Sequence, residues 1–262
     1  MKVPIYSMKG KASKSSATLP AAFEEPVRLD LIRRAVRSAR ANRRQAYGAA
    51  NRAGYRHSVS WPGKGRGMAR TPRKNGGGGR AAEAPNTIGG RRAHPPKAEK
   101  EWDIKINSKE RKKAFRSALA ATTQESYVSA RGHVIPEKVT LPYVVDNKIE
   151  SISSEHEGES ITKRALSLLD GLGLGEDIDR STDGKGIRPG KGKRRGRKYR
   201  TPRSILIVLS KSNGSGNAFR NLSGVDVTTS KDLNTELLAP GGDPGRLVVF
   251  SKAAVSELEK RL

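Results

Sequence analysis

The stretch Trp61-Pro-Gly-Lys-Gly-Arg-Gly-Met-Ala-Arg70 sets three cationic side chains, Lys64, Arg66 and Arg70, among three glycines and beside one aromatic ring. A second tract, Lys191-Gly-Lys-Arg-Arg-Gly-Arg-Lys-Tyr-Arg200, places Lys191, Lys193, Arg194, Arg195, Arg197, Lys198 and Arg200 around Tyr199. Arginine forks grip phosphate oxygens bidentately, and glycine lets a backbone approach them closely. The chemistry on offer is phosphate binding. The second tract also has the composition of a nuclear-localisation-like cluster, but its place between a helix and a core strand favours an RNA-facing loop. Tyr199 has two readings, stacking on a base or ribose and packing on the strand that follows.

Catalytic patterns are missing. The P-loop spacing occurs nowhere, because Gly190-Lys191 and Gly192-Lys193 lack both the upstream glycine and the following hydroxyl. Gly171, Gly173 and Gly175 follow a predicted helix rather than a strand, against a dinucleotide fingerprint. His57, His94, His133 and His156 are scattered, without partners at helical spacing. Glu155, Glu157 and Glu159 alternate in a polar stretch and read as a solvated turn. No catalytic residue, metal ligand or cofactor is assigned. With no cysteine, thiolate metal sites and disulfides are excluded, and a reducing cytoplasmic setting fits.

Charge is concentrated. Of a net +26, residues 40–100 carry 15 Lys and Arg against two acids, among 11 glycines and five prolines, and residues 183–203 carry ten against one. The rest of the chain is close to balance, which describes a globular body presenting two basic excursions to a polyanion. The basic residues of the first excursion include Arg40, Arg43, Arg44, Arg73, Lys74, Arg80, Arg91, Arg92 and Lys97, with Trp61 and His94 among them. The N-terminus lacks a signal-peptide apolar run, and no run of apolar residues is long enough to span a membrane.

The elements that must position these residues read as follows. A strand over Val3–Tyr6 ends at a polar run, Gly10–Ser16. A helix is predicted from about Pro26 to about Ala46, with Leu31, Ala35, Ala39, Ile32 and Val36 inward. On its other face Arg33, Arg37, Arg40 and Arg44 form a stripe without acids after Asp30, against the alternative of an ordinary charged face. Helical and strand periodicity vanish from Gly48 to Lys97, and such an arm orders only when its charge is neutralised.

A second helix, about Ser108–Thr122, follows an Asn107…Glu110 capping pattern, with Ala114, Phe115, Ala118 and Leu119 inward and Lys109, Lys112, Lys113 and Arg116 outward. Next come an apolar run at Leu141–Val145 and a helix over Ile161–Leu169. Strands over Ile205–Leu209, Val225–Thr228 and Leu247–Phe250 then alternate with helices over Ala218–Leu222, Asp232–Leu238 and Ala253–Leu262. The fold class is α/β, a three-layer α/β/α domain with a mostly parallel sheet plus a long extended basic internal loop. The boundaries expected are 1–47 with 101–262 for the globular domain, 48–100 for the extended loop, and 183–203 for a basic loop on the domain.

Several segments, in order, resemble the universal large-subunit ribosomal protein four family in its archaeal and eukaryotic form. They are Pro26-Val-Arg-Leu-Asp-Leu-Ile32 with Ala41-Asn-Arg43, Gly63-Lys-Gly-Arg-Gly67, Arg91-Arg-Ala-His-Pro-Pro-Lys97, Arg116-Ser-Ala-Leu-Ala-Ala121, Gly196-Arg-Lys-Tyr-Arg200 and Ala239-Pro-Gly-Gly-Asp-Pro-Gly-Arg-Leu247. Gly76–Gly79 resembles that family's glycine cluster loosely. The resemblance implies a structural constituent of the large subunit, cytoplasmic, that binds large-subunit rRNA and aids assembly. It implies that the loop runs inward through rRNA and that its tip lines the nascent-peptide exit tunnel, opposite the hairpin of the protein twenty-two family. Carried over by motif, Lys64, Gly65, Arg66, Gly67, Met68 and Arg70 fall nearest the tunnel, and Arg91, Arg92, His94 and Lys97 on the returning strand. Its partners are then rRNA, neighbouring ribosomal proteins and the nascent peptide, without a membrane or a small-molecule substrate, and structural Mg2+ enters only through the rRNA. The length, ending at Leu262, points to an archaeal source, and the modest acid content to one that is not an extreme halophile. The competing readings are a nonspecific nucleic-acid-coating protein and a nucleotide-dependent α/β enzyme with a basic arm.

Overall fold

Leu206-Ile-Val-Leu209 and Val248-Val-Phe-Ser251 have no polar face to turn to water, and every residue in both is buried. Such runs belong to parallel strands covered on both sides. The computed structural model describes residues 1–76, 78–136, 139–152, 160–211 and 214–262. It contains strands β1 (Lys2–Tyr6), β2 (Ala12–Thr18), β3 (Val59–Ser60), β4 (Arg73–Lys74), β5 (Tyr143–Val145), β6 (Gly186–Ile187), β7 (Tyr199–Arg200), β8 (Leu206–Leu209), β9 (Asp226–Thr229) and β10 (Val248–Ser251). The helices are α1 (Leu29–Asn42), α2 (Ser108–Ala121), α3 (Glu125–Ala130), α4 (Ile161–Gly171), α5 (Gly175–Asp183), α6 (Gly216–Arg220), α7 (Thr235–Leu238) and α8 (Lys252–Arg261). The predicted α/β class with a mostly parallel central sheet is what forms. Among the described residues no helix is long and apolar enough to cross a membrane.

Met1–Arg40 and Ile104–Leu262 make one compact unit, the body, and Ala41–Asp103 a second, the arm. In the body a six-stranded sheet runs β2-β1-β5-β10-β8-β9. All neighbours are parallel except β1 with β2. The alternation of side chains along each strand builds two cores. Val144, Leu206, Val208, Val248 and Phe250 meet Ile32 and Val36 of α1, Leu119 of α2 and Leu258 of α8. Tyr143, Val145, Ile207, Leu209 and Val249 meet Val128 of α3, Leu168 and Leu169 of α4, Ile178 of α5 and Phe219 of α6. These are the three layers.

Several boundaries depart from the sequence expectations for physical reasons. The first helix is shorter at both ends than Pro26–Ala46, and Ala39 is exposed. Past the buried Ser38, whose hydroxyl donates to Ile104 O at 2.5 Å, no residue of this helix is buried and further turns have no face to pack. Asn107 precedes α2 without a side-chain capping hydrogen bond. Phe115 and Arg116 are both half-buried, because Arg116 bonds to Glu25 and to the Leu262 carbonyl. The polar run after β1 is itself strand β2, whose only buried residue is Ala17. Helix α5 was not expected. At the end of α4, Gly173 sits at φ +74° and Leu174 N donates to Leu169 O at 2.8 Å, the Schellman closure that only a left-handed residue allows. The glycine run therefore caps a helix. Glu155, His156, Glu157 and Glu159 lie outside the described residues.

Candidate nucleic-acid interface

The arm doubles back through its own backbone. Ala49 N donates to Pro96 O at 3.0 Å, and a Cβ on Gly54 would stand 2.4 Å from Arg91 N, so outgoing and returning segments touch where only glycine fits. Farther along, β3 and β4 pair antiparallel, Val59 with Lys74 and Ser60 with Arg73. Two-residue strands leave no periodicity in the sequence, which is why they went unread.

Residues 61–72 are the connection between these strands, and they carry Trp61, Lys64, Gly65, Arg66, Gly67, Met68 and Arg70, all exposed. Gly63, Gly65 and Gly67 take φ values of +74°, +78° and +63°, with no atom within 4 Å of a would-be Cβ. The alternation of left-handed glycines with Lys64 and Arg66 is a backbone demand as well as a compositional one. Trp61 is 71% exposed.

Arg73 and Lys74 are half-buried in β4, and Arg73 donates to Gly79 O at 2.6 Å. Arg80, Arg92, His94 and Lys97 are exposed, and Arg91 is half-buried beside the Tyr55 ring. Near the arm's base Arg44 lies 4.3 Å over the Trp102 ring, Tyr47 is 5.0 Å from it, and the Lys100 ammonium is 5.5 Å away. Arg52 and Arg56 line a shallow concavity with Ala50 and Asn51. Sequence reasoning passed over these two arginines, although both lie in the same acid-poor tract.

The arginine stripe is split. Arg33, Arg37 and Arg40 are exposed on α1, whereas Arg43 and Arg44 lie beyond its end. The acids missing from the helix itself arrive from elsewhere in the body. Arg33 meets Asp243 at 3.1 Å, Arg40 meets Glu236 at 3.2 Å, and Arg34 meets Glu110 at 2.9 Å. The absence of counter-charge therefore holds along the helix and fails in three dimensions. With Arg33 64% and Arg40 52% exposed, such pairs contribute at most about 1 kcal/mol each, so exchanging a carboxylate for a phosphate costs little.

The second basic tract is a hairpin on the body. β6 pairs antiparallel with β7, Gly186 with Arg200 and Ile187 with Tyr199. Lys191, Lys193, Arg194 and Arg195 occupy a 3₁₀ turn, Arg197 and Lys198 follow, and all of them are exposed, as are Tyr199 and Arg200.

Its base is fixed by groups that the sequence did not flag, of which Ser181 and Arg246 are buried. Ser181 Oγ donates to Pro202 O at 3.0 Å, and Arg180 donates to Arg203 O at 2.9 Å. Arg203 pairs with Asp226 at 2.6 Å, which also pairs with the buried Arg246 at 2.7 Å. The Arg246 guanidinium donates to Ser204 O, Ile205 O, Leu237 O and Gly224 O, and burial pushes its pKa down to about 10. Ala239–Leu247, one of the segments that carry the family resemblance, thus supplies in Arg246 a keystone of the body.

Beneath the hairpin, Asp177 accepts from His133 at 3.1 Å, Val134 N at 3.1 Å, Arg180 at 3.0 Å and Ser204 at 2.5 Å. Burial alone would raise the Asp177 carboxyl, but the bonds from His133, Arg180 and Ser204 outweigh it and hold it below the usual carboxylate range. Burial pushes the His133 imidazole down, and the bond to Asp177 opposes it. Of the other histidines, His57 is exposed like His94, and His156 is outside the described residues.

At the carboxyl ends of the parallel strands, where open α/β sheets bind ligands, a side chain of the body stands in the way. Glu150 accepts from Ser210 N and Ser210 Oγ at 2.7 Å and from Ser251 Oγ at 2.5 Å, bridging the ends of β8 and β10.

These surfaces are found on a chain with clear relatives. The large ribosomal subunit protein uL4 of Halobacterium salinarum is 46% identical over 261 residues, the whole of both chains. That of Methanopyrus kandleri is 45% identical over 266 residues, covering all of this chain and 99% of its own. That of Methanococcoides burtonii is 47% identical over 247 residues, 94% of each. The model of the ribosomal protein L4/L1 family matches residues 17–261, and the chain belongs to that family.

Proposed function

We propose that this protein is a structural constituent of the large ribosomal subunit that binds large-subunit rRNA through its arm and its β6–β7 hairpin. The observation that carries the proposal is the arm's tip. Between Trp61 and Lys74 it exposes or half-exposes five cationic side chains with no acid, on a backbone that three left-handed glycines hold open. Such a concentration of unpaired positive charge is neutralised only by a polyanion. Full-length similarity to large-subunit proteins supports rRNA as that polyanion.

The arm runs into rRNA, with Lys64, Gly65, Arg66, Gly67, Met68 and Arg70 at the exit-tunnel wall opposite the protein twenty-two family, where they meet the nascent peptide. The protein has no catalytic role, and Mg2+ reaches it only through the rRNA. The placement of Glu150 across the strand ends favours this over a nucleotide-dependent enzyme, because the protein's own carboxylate takes the backbone donor of Ser210 that a phosphate would use.

The test is equilibrium binding of the full chain to defined large-subunit rRNA fragments and to random duplex, at several salt concentrations. A preference for the fragments that survives at high salt is expected, together with retention on large subunits through a high-salt wash. Equal affinity for both RNAs would sink the proposal and leave a nonspecific coating protein.

A further inference from the structure

We infer that the β6–β7 hairpin is a site for an unpaired nucleotide, with Tyr199 and Ile187 forming the platform on which its base lies. The inference rests on the RNA-binding reading above and adds the kind of RNA that this surface takes. Register sets Ile187 opposite Tyr199, and the two side chains are 62% and 51% exposed. Tyr199 belongs to neither core of the body, so packing on the following strand does not account for it. A cross-strand pair in strands of two residues stabilises the hairpin by less than about 1 kcal/mol, so local folding does not account for it either.

Around the ring the chemistry is one-sided. The Lys185 and Lys198 ammonium groups lie 5.3 and 5.4 Å from the Tyr199 centroid, and the Arg188 guanidinium donates to the Tyr199 carbonyl at 3.4 Å. No Asp or Glu lies between Gly184 and Arg203. Gly186, next to Ile187, has nothing within 4 Å of where a Cβ would stand, which leaves the approach open.

Duplex RNA presents phosphates and 2′-hydroxyls with its base faces stacked away, and cations alone would serve it. An exposed ring with two ammonium groups over it, each on a flexible stem that can swing from the ring to a phosphate, instead matches one splayed base between two phosphates. Every base has a π-face, so the site tolerates sequence. The bound nucleotide is a bulge, a loop or an end.

The experiment titrates the full chain with a short single-stranded oligoribonucleotide and with the same sequence as a duplex. All proteins carry Trp61→Ala, which removes the most exposed other aromatic. Tyr199→Ala and Tyr199→Leu should each weaken single-strand binding roughly tenfold and duplex binding by less than about twofold. The salt slope should not change, because no phosphate contact is lost. Tyr199→Phe should bind like its parent, and Lys185→Gln with Lys198→Gln should lower the slope on both RNAs. A 4-thiouridine oligomer should cross-link to the peptide that contains Tyr199.

Equal losses on both RNAs, or none on either, with melting temperatures unchanged, would overturn the inference. So would a cross-link map that excludes this peptide, which would leave the face to backbone contacts or to an acidic protein. Preference for rRNA fragments over random duplex is not measured here, so this inference and the proposed function fail separately.

Discussion

His133 and Asp177 lie 44 positions apart, yet their side chains are 1% and 0% exposed and bonded to each other. Arg180 completes the cluster from α5, and Arg131 adds its charge from just past α3. This gives the body a defined acid response. A histidine whose folded pKa is depressed takes its proton first in the unfolded chain, near pH 6.5, so stability is full above that value and falls as pH drops through it. Asp177 acts in the same direction lower down, its contribution being present above about pH 3.9 and lost as pH falls toward its depressed folded value. Denaturation midpoints should therefore decline from about pH 6.5 downward, and His133→Gln should flatten the curve between about pH 5 and 6.5. An unaltered slope in that variant would remove His133 from the account. Asp177→Asn should cost about 3 kcal/mol at pH 7, because Arg180 and His133 lose a buried partner. None of this was legible in the sequence. A buried aspartate and a buried arginine such as Arg246 run against residue type, and only tertiary partners decide them.

Legibility at the level of elements followed burial. Strands β8 and β10 were readable because every side chain in them is apolar or small and buried on one of two cores. Strand β2, Ala-Ser-Lys-Ser-Ser-Ala-Thr, sits at the sheet edge with one buried residue and gave no pattern. Helix α5 buries Asp177 and Ser181 beside a single large apolar residue, Ile178, and so read as loop. The arginines of α1 show the same limit for charge, since their acids come from positions 236 and 243. Replacing Arg33, Arg37, Arg40 and Arg44 with glutamine is expected to weaken rRNA binding and to reduce the magnitude of the salt slope by at least about 1. Because Arg33 and Arg40 already hold carboxylates and Arg44 lies over Trp102, the reduction should fall short of four full phosphate contacts. Binding measured from low to high salt decides it, and an unchanged slope would make α1 an ordinary charged face.

At the scale of the whole chain, the two compact units divide the work between cohesion and contact. The body holds both large cores and the buried ion network. In the arm, by contrast, the buried side chains among the described residues are Pro62, Pro72 and Ala82. Folding of the body should therefore be indifferent to the arm's outer part, while rRNA affinity should depend on it. Deleting residues 60–95 removes the tip, β4 and the turn after it, and keeps the Arg44–Trp102 stack near the arm's base. The shortened chain is expected to unfold in one cooperative transition, within about 1 kcal/mol of the full chain, since no core residue of the body is lost. Its affinity for rRNA fragments should fall and its salt slope should shrink, because Lys64, Arg66, Arg70, Arg73, Lys74, Arg80, Arg91 and Arg92 go with the deletion. Calorimetry and salt-dependent titration on the same preparation separate the outcomes. Loss of cooperative melting would make the arm part of the fold, and unchanged rRNA binding would move the interface entirely onto the body.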